Sequence, residues 1–439
     1  MLKTLVGAFK NKDIRKKILY TLMILVIVRV GSLLPIPGVD TEYFSSLLSG
    51  INTGDLSYLS AFTGGSFERM SLFALSITPY ITSSIIMQLL AIAIPKLEEM
   101  QKEGEDGRKK IAAITRYVTI ALALIESIAM SVGFGRSGLI KGYQGFSTLH
   151  YIVSIIVVVA ALTAGSAMLM WLGERITENG VGNGISIVLL INIISGMPSD
   201  FATLYSTFVA PRTIAKGVLA AAIIIAILVV MVVLVCFLQD GERRIPVQYS
   251  QKVSGRKSFG GQSTNIPLKV NTAGVMPVIF ASSLMQFPVI IAQLFGKSYE
   301  WTRYLSSSYW CRVEAPKYSI GLLVYIVLLI IFAYFYTSIT FNPIEVADNL
   351  KKAGGVIPGI TPGKSTSEYL NKILNYIVFI GAVGLLIIAL IPIMCTGFFN
   401  ASVSFGGTSV IIIVGVVLET LKQIESQMVN RYYKGFLSE

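Results

Sequence analysis

The chain has 439 residues, 54% hydrophobic and 14% charged, and a formal net charge of +12. Ordinary soluble chains are about 25% charged, so too few charges are present to wet the surface of a soluble protein this long. A soluble enzyme or a disordered scaffold is excluded, and blocks of spanning length make the lipid bilayer the expected solvent.

Residues 1–17 carry Lys12, Arg15, Lys16 and Lys17 ahead of a first apolar run at 18–34. That run exceeds a typical signal core and ends in Leu33-Leu34-Pro35-Ile36-Pro37-Gly38, without a small-x-small cleavage site, so it reads as a permanent helix. Arg29 lies near its end, where a long side chain can snorkel. Residues 55–69 are moderately apolar but too short to span. They are either a re-entrant half-helix, tolerated where it is buried or lines a cavity, or an amphipathic helix resting on the outer surface. Nine further runs follow at 71–94, 111–132, 149–171, 184–197, 214–238, 273–294, 318–341, 373–391 and 403–421.

Ten runs place both termini on one side. That side holds 25 of the 36 Lys+Arg, the other side nine, and two lie within spans. The asymmetry puts the termini in the cytoplasm. The expected organisation is a cytoplasmic segment 1–17, a first half 18–212, a second half 213–421 and a cytoplasmic tail 422–439. Two halves of five helices fit the inverted repeats common in transport proteins.

Two motif matches fail on context. Gly133-Phe134-Gly135-Arg136-Ser137-Gly138 fits GxGxxG but follows a membrane helix rather than a strand. Pro358 stands where the phosphate-binding pattern ending in Gly363-Lys364-Ser365 needs glycine. His150 is the only histidine and has no nearby ligand cluster. Cys236, Cys311 and Cys395 form no close-spaced set. No cofactor, metal or nucleophilic site is expected, and the chain does not read as an enzyme.

Charges inside spans cost roughly 2.5–3.5 kcal/mol at mid-membrane. Glu126 is the clearest acid, and one carboxylate makes a poor proton relay, so an interhelical hydrogen bond is expected for it. Arg116, like Arg29, lies near a helix end. Gly180-Val181-Gly182-Asn183-Gly184 opens the fifth run, and glycines allow close helix approach. Ile185 and Leu189 then share a face, as do Ile77 and Ile81; periodicity alone does not separate these pairs from ordinary packing. Cytoplasmic loops 239–272 and 342–372 are too long for simple connectors. The first mixes Arg243, Arg244, Lys252, Arg256 and Lys257 with aromatics, which suits RNA, an acidic protein face or anionic lipid.

Several strings in one order now carry a resemblance. They include Pro35-Ile36-Pro37-Gly38, Thr78-Pro79-Tyr80-Ile81, Trp171-Leu172-Gly173-Glu174, Gly182-Asn183-Gly184-Ile185-Ser186-Ile187, Pro267-Leu268-Lys269-Val270-Asn271, Ala347-Asp348-Asn349-Leu350-Lys351-Lys352 and Phe405-Gly406-Gly407-Thr408-Ser409. Over nearly its whole length the chain resembles the SecY family, the central subunit of the bacterial protein-conducting channel. The resemblance implies an all-α integral membrane protein, with ten transmembrane helices in two pseudo-symmetric five-helix halves around a central pore. It implies a pore ring of Ile77, Ile81, Ile185, Leu189, Ile279 and Ile412. It tips segment 55–69 towards a re-entrant plug, with Asp55, Leu59, Phe62, Gly64, Gly65, Phe67 and Arg69 within it. Thr82, Glu126 and Phe287 fall at a lateral gate that releases apolar segments into lipid. Arg243, Arg244, Lys252, Arg256, Lys257, Lys351, Lys352 and Lys364 fall on loops that dock the motor ATPase SecA or the ribosome with its RNA. Thr361 stands where the family commonly has a basic residue. SecE and SecG are the implied companion subunits, signal sequences and unfolded precursor or nascent chains the clients, and the bacterial inner membrane the location. The rival reading is a secondary transporter of small solutes, which predicts more ionisable groups at mid-membrane.

Overall fold

A computed structural model of the chain describes residues 7, 9–50, 63–134, 148–210, 214–249, 253–254, 257–258, 263–294, 300–306, 309–312, 316–399 and 407–435. A helix lies on each of the ten apolar runs. In chain order the helices are α1 (Lys12–Leu33), α2 (Thr41–Gly50), α3 (Thr78–Ala93), α4 (Pro95–Lys102), α5 (Glu105–Phe134), α6 (Thr148–Asn179), α7 (Gly184–Leu204), α8 (Ile214–Asp240), α9 (Met276–Leu294), α10 (Glu300–Leu305), α11 (Ile320–Thr340), α12 (Pro343–Lys352), α13 (Lys364–Phe399) and α14 (Gly407–Gly435). Among the described residues six helices are long and apolar enough to cross a membrane, or seven if α3 and α4 count as one bent span. That bend is 105°. Its cause is local: Pro95 opens α4, and the residue before a proline avoids helical geometry, so Ile94 is extended.

The second run departs from expectation. It is helical only from Thr78, while 66–77 form turns. Those turns are tied to the end of α1, with Leu72 N–H donating to Leu34 O (2.9 Å) and Ile36 N–H to Met70 O (3.1 Å). Pro79 at the second position of α3 suits a helix start, where its missing N–H costs nothing.

The fold is mostly helical, as expected, but not wholly so. The two long loops contain strands β1 (Glu242–Tyr249), β2 (Val253–Ser254), β3 (Lys257–Ser258), β4 (Ser263–Lys269) and β5 (Gly355–Val356). β4, β1 and β5 form one antiparallel sheet, with Ile245 opposite Ile266 and Gln248 opposite Val356. The two long loops are therefore one unit. Their shared core holds Ile245, Val247, Leu268, Leu350, Ile357 and Leu370. In β1, buried Ile245 and Val247 alternate with exposed Arg244, Pro246 and Gln248, the period of two that a half-buried strand shows.

The helices pack in two styles. α3, α5 and α6 are joined by hydroxyls: Ser83 Oγ lies 2.5 Å from Thr119 Oγ1, and Ser127 Oγ 3.0 Å from Thr163 Oγ1. α9 and α11 instead pack aromatics edge to face, with Phe280 5.8 Å from Phe332. α5 meets α9, and α7 meets α14, linking the first five runs to the last five.

Candidate functional site: an aliphatic neck

The glycine string before α7 sets the neck. Asn183 caps the helix, its Oδ1 accepting from Ile185 N–H (3.1 Å) and Ser186 N–H (3.4 Å). Gly184 sits so close to α6 that a Cβ there would overlap the Gly173 carbonyl. This approach seats Ile185 and Leu189 in one hydrophobic cluster with four residues from other helices. Ile77, Leu189, Ile279 and Ile412 are buried at its centre, and Ile81 and Ile185 pack against it partly buried. Ile77 precedes α3 and accepts the Ile81 N–H at 3.1 Å. Val28, Phe73, Val188 and Phe280 back the cluster. Six residues spread over 336 positions of chain thus belong to one hydrophobic cluster, and all six side chains are aliphatic. Such side chains offer an ion nothing in exchange for its hydration shell, and a narrow apolar constriction can dewet.

The expected plug lies partly outside the described residues: Asp55, Leu59 and Phe62 do. Its return limb is described. Phe67 is buried with Ile36, Phe44, Met70 and Leu162. Its ring meets Phe44 edge-on at 5.8 Å, and Phe44 meets Phe134 at 5.2 Å. Gly64 and Gly65 adopt left-handed turns, and Arg69 is exposed.

At the expected lateral gate, Thr82 turns onto its own helix, its hydroxyl donating to Thr78 O at 3.1 Å. Glu126 is partly buried on α5 and makes no hydrogen bond among the described residues. The interhelical bond expected of it is made by its neighbour Ser127 instead. Phe287 lies on α9, and its side chain is outside the described residues. The structure brings α5 and α9 together.

The in-span arginines also differ from expectation. Arg116 pairs with Glu174 at 2.7 Å, tying α5 to α6, and does not simply snorkel. Arg29 turns inward, and its Nη1 is buried without a hydrogen-bond partner among the described residues. Asn192, 2% exposed, escaped the sequence reading. Its signal was available: an amide inside Leu190-Ile191-Asn192-Ile193 is costly for the same reason as Glu126.

On the cytoplasmic unit, Arg243, Arg244, Lys351, Lys352 and Lys364 are exposed. Arg244 pairs with Glu242 at 2.7 Å, and Lys364 stands 3.9 Å from Glu368. Lys257 lies on β3, opposite Ser254, with its side chain outside the described residues. Lys252 and Arg256 are also outside them. Outside the membrane helices, burial pushes the Cys311 thiol up, away from reactive thiolate character.

A bundle of apolar helices that share a hydrophobic cluster between α3, α7, α9 and α14, with a sheet that exposes cations, defines a multi-pass membrane protein of the channel class. The SecY family model matches residues 71–421. The protein translocase subunit SecY of Streptomyces galbus is 45% identical, each chain covered in full. The chain belongs to the SecY family: it is a protein-conducting channel subunit and not an enzyme. Its fold is similar to a solved SecY whose plug domain is described as stabilising the closed channel and maintaining a membrane seal, with a TM-score of 0.64, 18% identity and 94% and 92% of the two chains covered. It is also similar to Sec61 in the canine ribosome–channel complex, with a TM-score of 0.59, 17% identity and 94% and 93% covered.

Proposed function

We propose that this chain forms the pore through which unfolded secretory polypeptides cross the bacterial inner membrane. Ten helices cross it as two five-helix halves, 18–212 and 213–421, with both termini cytoplasmic. One observation carries the reading: the six aliphatic residues Ile77, Ile81, Ile185, Leu189, Ile279 and Ile412 share one hydrophobic cluster, drawn from four helices and the residue before one of them. The ring holds back ions at rest and repacks around varied side chains in transit. Segment 55–69 is the plug outside the ring. α3 and α5 separate from α9 and α11 at the lateral gate, near Thr82, Glu126 and Phe287. An apolar segment of about 20 residues prefers lipid. Signal-sequence binding there shifts the population towards the open gate.

The exposed cations of the cytoplasmic sheet dock SecA or the ribosome, including ribosomal RNA, by charge complementarity. SecE clamps the halves, and SecG completes the complex. The Sec61 relative, solved in a ribosome–channel complex, supports ribosome binding. The test is a stalled secretory chain carrying a photoreactive residue. Crosslinks to the six ring positions are expected. A chain arrested in transit that never reaches them refutes the route.

A further inference from the structure

Immediately outside the neck, a polar pocket closes on the plug's return limb. Ser195 lies six residues beyond Leu189 on α7, about 9 Å along the helix. Two consecutive glycines of the limb, Gly64 (φ 62°) and Gly65 (φ 78°), both hold the left-handed conformation. Their surroundings differ. A Cβ on Gly65 would meet nothing within 4 Å. A Cβ on Gly64 would stand 2.5 Å from Ser195 Oγ, 2.7 Å from the Asn192 carbonyl oxygen and 3.1 Å from Arg29 Nη1. Gly64 is therefore the point where the limb is pressed between α1 and α7.

The pocket wall is held in place by polar contacts. Asn192 Nδ2 donates to Ser76 Oγ at 3.1 Å, and Ser195 Oγ donates to Asn192 O at 2.7 Å. A long contact of 3.5 Å runs from Ser195 Oγ to Gly64 O. Against these, Arg29 Nη1, Asn192 Oδ1 and Ser66 Oγ are buried without partners among the described residues, which disfavours the seated arrangement. Close steric contact combined with poor bonding describes a seat that holds a segment in register yet releases it readily.

We propose that Arg29, Asn192 and Ser195 form a clamp on Gly64 that positions the plug's return limb in the closed channel. This rests on reading 55–69 as the plug. Arg29 acts through that limb, as a positioning residue. Its place in the outer half of a membrane helix, at the cost of an unpartnered guanidinium nitrogen, is explained by this contact.

The paired glycines supply the test. Both Gly64→Ala and Gly65→Ala strain the same kind of backbone, but only the first collides with the clamp. The full chain is assembled with its companion subunits in liposomes, and basal ion leak and translocation of a precursor with a defective signal sequence are measured. Gly64→Ala is expected to raise leak about tenfold, as a tenfold shift in the closed–open population requires, with Gly65→Ala within about twofold of the parent. Ser195→Gly, which removes the nearest obstructing atom, is expected to restore Gly64→Ala towards the parent. Ser195→Val crowds the same point without touching limb backbone and is expected to leak even if Gly64→Ala fails to assemble. Deletion of 55–62 tests the plug reading by itself. If the deletion leaks while Gly64→Ala and Ser195→Val match the parent, the clamp is refuted and the plug stands. If the deletion does not leak, the plug reading falls and the clamp with it.

Discussion

The hydrophobic cluster of the neck and the sheet of the two long loops gather distant residues by opposite means. The neck collects aliphatic side chains from α3, its N-terminal edge, α7, α9 and α14; Ile77 and Ile412 are each 1% exposed, while Ile81 and Ile185 are partly buried. The sheet joins two loops through backbone pairing, Gln248 opposite Val356, and turns its cations outward. A seal needs side chains that can shift without leaving polar atoms unpaired. A docking face needs charges held in fixed register, and a hydrogen-bonded ladder supplies that. The comparison teaches that tolerance to substitution should run in opposite directions at the two places. A polar group is harmful in the neck and ordinary on the sheet, while a changed charge is decisive only on the sheet.

The largest expected effect breaks the neck. Ile279→Asn and Ile412→Asn each place an amide where the surroundings offer aliphatic partners, leaving a buried polar group that costs about 1–3 kcal/mol in the closed state. The closed state loses that stability and the hydrated open state does not, so open time is expected to rise about tenfold or more. Planar-bilayer conductance measures it. Acceptance of precursors with weakened signal sequences should rise in parallel. Ion leak at the parent level in both variants would break the seal side of the comparison.

Next in size is the sheet's own core. Val247 is fully buried on β1 between the two loops. Val247→Asp puts a carboxylate there without a partner, a cost of several kcal/mol. The expected result is separation of β5 from β1 and rapid proteolysis within 239–272 and 342–372, with ion leak unchanged. Limited proteolysis and conductance on the same preparation separate the two regions. Docking by SecA or the ribosome should be lost with the sheet.

The unequal legibility of the two regions has a physical reason. The neck residues were legible only through the resemblance, since Ile77–Ile81 and Ile185–Leu189 repeat a spacing that any packed membrane helix shows. The sheet's basic residues were legible as a long charged loop, but its strands were not. β5 is two residues long, and its partner lies more than a hundred residues earlier, so no local pattern announces the pairing. The alternation in Arg244-Ile245-Pro246-Val247-Gln248 was present in the sequence and gave a strand signal, masked by the expectation of an all-helical chain. The start of α3 was displaced from 71 to 78 because 71–77 close i,i+3 turns, Ala74 N–H onto Ser71 O and Ser76 N–H onto Phe73 O, while Leu72 N–H is drawn to Leu34 O at the end of α1. Arg116 was read alone, and it owes its position to Glu174 on another helix.

A smaller effect sharpens the docking side. Arg243 is exposed, and Arg244 is held by Glu242 at 2.7 Å. Arg243→Glu reverses a free cation, whereas Arg244→Glu also faces Glu242 with a like charge. Both are expected to weaken SecA or ribosome binding about tenfold at low salt, with the gap to the parent closing as salt rises. Binding titrated over ionic strength reads both the size and the slope. Undiminished, salt-independent binding in both would leave the cations as topology signals only.

The smallest expected effect concerns the second loop, where Thr361 replaces a residue that is basic in much of the family. The turn there is fixed by Thr366 Oγ1, which donates to Thr361 O at 2.9 Å, and α13 begins at Lys364 just beyond it. The Lys364 side chain is 91% exposed, and its nearest carboxylate, Glu368, is itself 70% exposed and 3.9 Å away. An exposed pair of this kind contributes at most about 1 kcal/mol, so Lys364 is close to a free charge at the tip. Lys364→Ala should lower SecA affinity by about twofold to threefold, in keeping with one exposed charge contact, and leave helix stability almost unchanged. Thr361→Lys in that background moves the charge back three positions onto the fixed turn and should recover the lost affinity. Recovery would show that the docking face reads charge at the tip rather than the identity of one position. No loss with Lys364→Ala would place the contact on Arg243 and its neighbours alone.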